Sequence, residues 1–243
     1  MFDAQPQRDR HSFADYQEQA RRRGRELVAA VAAEHPDIAV PTYFIYGGLP
    51  GDPEAAAGAR LEVDIYGLLP AFVEGMLAAS TPSVTIVDGT ESAYTFSELS
   101  QLQTAAVRLE VGGQRFVAPE LRARFRAQAQ IGLGLYVDGY NVLETSPWFV
   151  DGRGGARVLR LQDSLQVALA TADEYLWLWG ERGRWWPDPT DTASWGREVH
   201  PPWSEALPGS DLAMALARDA AGVLAGACSV RLAARGLTLS LAP

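Results

Sequence analysis

Apolar positions along the chain follow two alternating periods, which predict a regular order of helices and strands. In some stretches apolar residues recur every three or four positions, as on one face of a helix. Between them lie short apolar runs, closed by Gly, Pro or Asp, that are typical of buried strands. The predicted helices cover residues 12–34, 61–79, 95–110, 119–128, 158–170 and 211–227, and the predicted strands cover residues 38–46, 83–87, 131–137 and 175–179.

This order predicts an α/β fold of the (β/α) TIM-barrel type with about four βα units, either a half-barrel or a truncated barrel. Strands that alternate with helices form a parallel sheet with right-handed crossovers. The segment GGLPG at 47–51 matches no glycine-rich phosphate loop, so a nucleotide-binding doubly wound sheet is not expected. We expect residues 1–228 to form an incomplete barrel-type domain and residues 229–243 to form a C-terminal tail or an edge hairpin.

The composition excludes several classes of partner and cofactor. The chain has 243 residues, of which 47% are hydrophobic, and its formal net charge is −9. This charge argues against a nucleic acid or an anionic membrane as partner. The single cysteine, Cys228, rules out an intrachain disulfide and is expected to be a buried thiol on the last helix. The three histidines are scattered, so neither a metal site nor another cofactor is expected.

The sequence also carries no recognisable targeting or membrane segment. Residues 1–26 are polar and rich in arginine, with no apolar stretch of the kind that an export signal requires. The apolar stretch 212–230 is interrupted by Arg218 and Asp219, which favours a packed helix over a membrane span. As written, the chain is predicted to be cytoplasmic; an extracellular or periplasmic location stays open if Met1 is not the true start.

Carboxylates follow three consecutive predicted strands. Because side chains alternate between the two faces of a strand, Tyr136 and Asp138 share one face, as do Trp179 and Glu181. Asp88 ends the second strand in the same way. In a parallel barrel these strand ends meet at one mouth. The residues expected there are Glu91, Asp138 and Glu181 as the catalytic acids, and Asp88, Tyr136, Trp179, Trp185 and Trp186 as the substrate-binding set.

Converging carboxylates with aromatic walls are typical of carbohydrate chemistry. Two acids can act as general acid and as nucleophile or base in glycoside hydrolysis, and Trp and Tyr rings can pack against the apolar faces of sugars. Purely structural roles remain open for the same residues. Asp-Gly at 88–89 and at 138–139 is a common turn dipeptide, and Glu91 precedes a predicted helix whose N-terminus it could stabilise.

Three strings in the chain resemble the C-terminal half of bacterial TIM-barrel proteins of the glycoside hydrolase-like kind. They are LLPAFVEGMLAAS and VTIVDGTESAY within residues 68–94, GLYVDGYN at 134–141, and ALATADEYLWLWGERGRWW at 168–186. The resemblance covers residues 12–186. It implies that the four strands are the last four of a barrel, with Asp138 at the end of the seventh. The usual acid would then lie in the absent half.

The resemblance leaves three functions open. The chain is expected to bind a carbohydrate and to hydrolyse it with paired carboxylates, or to be a non-catalytic carbohydrate-binding or interaction protein, or an inactive fragment of a barrel enzyme. A small-molecule enzyme on the same scaffold would take phosphate at the loop 152–155. The expected protein partner is a second copy, which would form a homodimer, or the missing N-terminal half.

Overall fold

The computed structural model is a mixed α/β structure. It describes residues 2–46, 61–96, 98–150, 156–186, 200–218, 228–233 and 236–241, without the side chains of residue 3 and of 228–241. The α-helices are α1 (Phe13–Glu34), α2 (Leu69–Ala79), α3 (Leu99–Val107), α4 (Arg122–Gln128), α5 (Arg157–Thr171), α6 (Trp203–Ala206) and α7 (Ser210–Arg218). The strands are β1 (Ala39–Thr42), β2 (Thr85–Asp88), β3 (Ala129–Ile131), β4 (Leu133–Tyr136), β5 (Leu176–Trp179), β6 (Cys228–Ala233) and β7 (Gly236–Leu241).

The chain divides into two compact units. Unit 1 comprises Met1–Leu135 and Ala170–Trp177, and unit 2 comprises Tyr136–Leu169 and Leu178–Pro243.

The sheet of unit 1 confirms the predicted parallel arrangement. β1, β2 and β3 are hydrogen-bonded in that order and run parallel, with Val40 opposite Ile86 and Asp88 opposite Ile131. β4 pairs with β5. The predicted strand 131–137 is divided by Gly132, whose N–H donates to the carbonyl of Asp88 at 2.7 Å. The buried apolar residues of β1–β3 are Ile86, Val87 and Ile131, and β4 adds Leu133 and Leu135.

Two glycines bring helices α1 and α2 of unit 1 into close contact. A Cβ atom on Gly24 would overlap the carbonyl oxygen of Phe72, and one on Gly75 would overlap that of Arg21. Beside this crossing, the buried carboxylate of Glu74 accepts hydrogen bonds from the Arg21 guanidinium at 3.0 Å and from the N–H of Ala118 at 2.6 Å. The two helices therefore meet backbone to backbone and are joined by an ion pair.

The boundaries of several elements differ from the sequence prediction. The predicted strand 38–46 ends at Thr42, because the N–H of Tyr46 turns inward to the carboxylate of Asp88. The predicted helix 61–79 begins only at Leu69, where Pro70 occupies the first turn, a position that needs no N–H donor. The predicted helix 95–110 is regular over Leu99–Val107 and continues as a π-helical turn over Arg108–Gly112.

Unit 2 is built around α5 and a buried tryptophan. Leu161, Leu165 and Ala168 of α5 are fully buried, and Trp203 packs so closely on Gly180 that a Cβ there would overlap its ring.

The C-terminal strands pair with each other. β6 and β7 form an antiparallel two-stranded sheet within the segment predicted as a tail or an edge hairpin. Cys228 was expected on the last helix; this is wrong, because Cys228 begins β6. Helix α7 is described over Ser210–Arg218, and residues 219–227 of the predicted helix lie outside the described residues. Among the helices that the structure describes, none is long and apolar enough to cross a membrane.

Candidate functional site

Asp138 lies two residues after β4, within a 3₁₀ turn over Val137–Tyr140. It is fully buried and accepts hydrogen bonds from the backbone N–H groups of Glu181 at 2.6 Å and Arg182 at 2.9 Å. Both carboxylate oxygens are thus engaged by main-chain donors. Asp138 fixes the segment that follows β5 and so determines where the Glu181 side chain begins.

The hydroxyl of Tyr136 joins the two acidic residues of unit 2. It donates its single proton to the carboxylate of Glu181 at 3.3 Å, and the charge of Asp138 also acts on it. Burial, followed by the charges of Asp138 and Glu181, raises the pKa of Tyr136 above its ordinary value. The hydroxyl therefore keeps its proton at neutral pH and acts as a hydrogen-bond donor. Glu181 itself is exposed, so its carboxylate is accessible to a ligand.

One aromatic residue packs on this group, and it was not among the predicted site residues. Trp148 packs edge-to-face on Tyr136, with ring centroids 5.6 Å apart, and 42% of its surface is exposed. Trp179 is exposed at the end of β5, and Trp186 is 89% exposed. Trp185 is half-buried, because it packs against Trp203 at 5.7 Å.

The predicted residues of unit 1 form a separate strand-end turn. Asp88 is fully buried, and its carboxylate accepts from the N–H groups of Tyr46 at 3.0 Å and Thr90 at 2.9 Å. The second bond holds Thr90 in the left-handed region, at φ 46°. Glu91 follows as the first residue of a 3₁₀ turn (Glu91–Thr95), half-buried, with its N–H donating to the carbonyl of Tyr43 at 2.9 Å.

The structure thus brings together Tyr136, Asp138 and Glu181 in unit 2, and it places Asp88 and Glu91 in unit 1. Trp148 was missed as a site residue because it lies in a loop without periodic pattern, and its contact with Tyr136 depends on the fold. The loop 152–155, named above for a phosphate site, lies outside the described residues. In the part of the chain that is described, no cluster of three or more His, Cys, Asp or Glu side chains could hold a metal ion.

Comparisons with protein-family models, with curated proteins and with solved structures find no match to this chain.

Proposed function

We propose that the protein binds a carbohydrate at the strand ends of unit 2, on the scaffold of a glycoside hydrolase-like half-barrel. The observation that carries the proposal is the hydrogen bond between Tyr136 and the exposed Glu181, beside the exposed indole of Trp148. A sugar presents hydroxyl groups around an apolar ring face. The carboxylate of Glu181 can accept from such hydroxyls while an aromatic face packs on the ring.

The half-barrel is supported by the order of the strands. β1, β2 and β3 pair in chain order and in parallel, and the next two strands, β4 and β5, pair with each other. Successive βα units of a barrel give this order. On this proposal a second copy of the chain, or an N-terminal half, would supply the remaining strands.

Hydrolysis is the second candidate, favoured by one observation. The Tyr136 hydroxyl donates to Glu181 and also feels the charge of Asp138, so two carboxyl groups act on a single atom. Asp138 is fully buried and engaged by backbone donors. It would therefore act by positioning Glu181, and Glu181 would touch the substrate. Binding ranks above hydrolysis because Asp138 cannot reach a sugar without first breaking its bonds to the backbone.

The test combines saccharide binding with turnover on a panel of oligosaccharides and aryl glycosides. Calorimetry should show saturable binding of at least one saccharide by the wild-type chain. Glu181→Gln should weaken it by about tenfold or more, as expected for a hydrogen bond to a charged group, and Trp148→Ala by a few-fold. Glu144→Gln, an exposed carboxylate in the same unit, is the matched control and should bind normally.

The two candidates separate on turnover. If the protein hydrolyses a glycoside, Glu181→Gln should abolish the reaction without changing the thermal melt. Binding without turnover would support carbohydrate binding and exclude hydrolysis. Absence of saturable binding to every saccharide, with a folded wild-type chain, would refute the proposal.

A further inference from the structure

Unit 1 contains a pocket that the proposed carbohydrate site does not use. Its volume is about 440 Å³, within the range of small-molecule sites. It opens on one face of the sheet, and every residue that lines it belongs to unit 1. The lining side chains and backbone come from Pro41, Thr42, Tyr43, Val87, Gly89, Gly132, Tyr175, Leu176 and Trp177.

The indole of Trp177 is the fixed wall of this pocket. Its Nε1–H donates to the carbonyl of Gly89 at 2.7 Å. Its ring lies across Gly134, where an added Cβ would stand only 2.8 Å from the ring. Tyr43 and Tyr94 tilt against the same indole, with centroids 5.6 and 5.3 Å away. An aromatic wall held in this way needs little reordering when a ligand stacks on it.

The polar groups around the pocket are largely engaged within the protein. The hydroxyl of Thr42 donates to the carbonyl of Val87 at 2.7 Å. The N–H of Gly132 donates to Asp88 at 2.7 Å, and the carbonyl of Tyr175 accepts from Leu133 at 3.3 Å. The lining presents mainly ring and aliphatic surface, and none of the lining residues is charged. An ion would lose its hydration there without gaining a partner.

From this chemistry we infer that the Trp177 pocket is a binding site for a neutral, flat, aromatic small molecule. The ligand stacks on the Trp177 indole, and the rings of Tyr43 and Tyr175, both exposed at the rim, cover its edges. A Cβ at Gly89 would overlap the carbonyl oxygen of Thr42 and one at Gly132 the side chain of Val87, so the pocket wall is closely packed at both glycines. This assignment is independent of the carbohydrate proposal, since it uses no residue of the Tyr136–Glu181 site.

The test uses N-phenyl-1-naphthylamine, a neutral aromatic probe whose emission rises in an apolar site. Wild-type protein should give a saturable rise, and Tyr43→Ala and Tyr175→Ala should each weaken the probe affinity by about three- to tenfold. Both tyrosines are exposed, at 63% and 39%, so circular dichroism should show a normal fold.

Tyr66→Ala is the matched control. Tyr66 is an exposed tyrosine of unit 1 that lines a different apolar pocket, of about 310 Å³, and its replacement should leave the probe affinity unchanged. The inference fails if no saturable binding occurs, or if Tyr66→Ala removes it while the Tyr43 and Tyr175 variants bind normally. The probe signal could also disappear as the protein concentration rises, with a matching increase in sedimentation coefficient. That result would show that a second copy of the chain occupies the pocket, and it would overturn the inference of a small-molecule site.

Discussion

The backbone N–H of Glu181 donates a 2.6 Å hydrogen bond to the carboxylate of Asp138, a side chain with no exposed surface. The relationship gives the two acids of unit 2 different tasks. Asp138 holds the main chain in place, and Glu181 presents its own carboxylate to solvent.

We expect Asp138→Asn to destabilise the protein by about 2–3 kcal/mol, because the amide loses the negative charge and turns an NH₂ group toward a backbone donor. Urea unfolding measures the difference. Glu181→Gln is the control and should change the free energy of unfolding by no more than about 0.5 kcal/mol, since its side chain is exposed. Equal stability of Asp138→Asn and wild type would show that the buried hydrogen bonds do not hold this turn.

Removal of the Tyr46 hydroxyl should be neutral or stabilising, by up to about 1 kcal/mol. Tyr46 is buried, and its hydroxyl has no hydrogen-bond partner among the described residues. Tyr46→Phe keeps the ring contacts with Phe116 and Phe125 and removes an unsatisfied polar atom. Thermal melts at neutral pH give the comparison. A clear loss of stability in Tyr46→Phe would mean that the hydroxyl has a partner after all.

The stability of the protein should fall as the pH rises through about 10. Burial, with the charges of Glu74 and Asp88, raises the pKa of Tyr46, and burial beside Asp138 and Glu181 raises that of Tyr136. In the unfolded chain these tyrosines lose their protons near pH 10, while in the folded chain they keep them. The unfolded state then binds fewer protons, so the free energy of unfolding decreases with pH.

Urea unfolding at pH 8, 9.5 and 10.5 should show this decrease, and Tyr46→Phe should make the slope shallower. An identical slope in wild type and Tyr46→Phe would exclude Tyr46 as a source of the effect.

The contact between α1 and α2 should leave no room for a methyl group at Gly24. Gly24→Ala places a Cβ against the carbonyl of Phe72 and should cost about 1–3 kcal/mol or more as the helices separate. Gly112→Ala is the matched control, because a Cβ at Gly112 has no neighbour within 4 Å. We expect it to be neutral or slightly stabilising. Equal melting temperatures for the two variants would contradict the tight crossing.

The sequence predicted those features that depend on local chemistry. Ser12 and Asp15 form the capping box at the start of α1, where the sequence predicts a helix to begin. The alternation of strands and helices predicts the parallel sheet, because a helix that crosses over between two successive strands lets both strands run in the same direction. Asp88 ends β2, as predicted, whereas Asp138 lies in a 3₁₀ turn after β4, where the two-residue period of a strand no longer sets the face of its side chain.

Other features depend on contacts between distant segments. The partners of Asp138 lie 43 and 44 residues further along the chain, and no local pattern identifies them. From the sequence alone, Trp177 is equally consistent with a buried core residue. Its contacts with Gly89 and Gly134 in the structure show that its ring is fixed beside a pocket. The half-barrel, the carbohydrate and the acids Glu91, Asp138 and Glu181 stay predictions.

The backbone contact between α1 and α2 also bears on how the chain between them can vary in length. The chain between these helices includes β1, which is held in the sheet, so the length that can vary lies between β1 and α2. The entropic cost of closing that connection grows only with the logarithm of its number of residues, so a change in its length has little effect on the crossing. A new βα connection could be introduced there without redesigning the helices on either side of it.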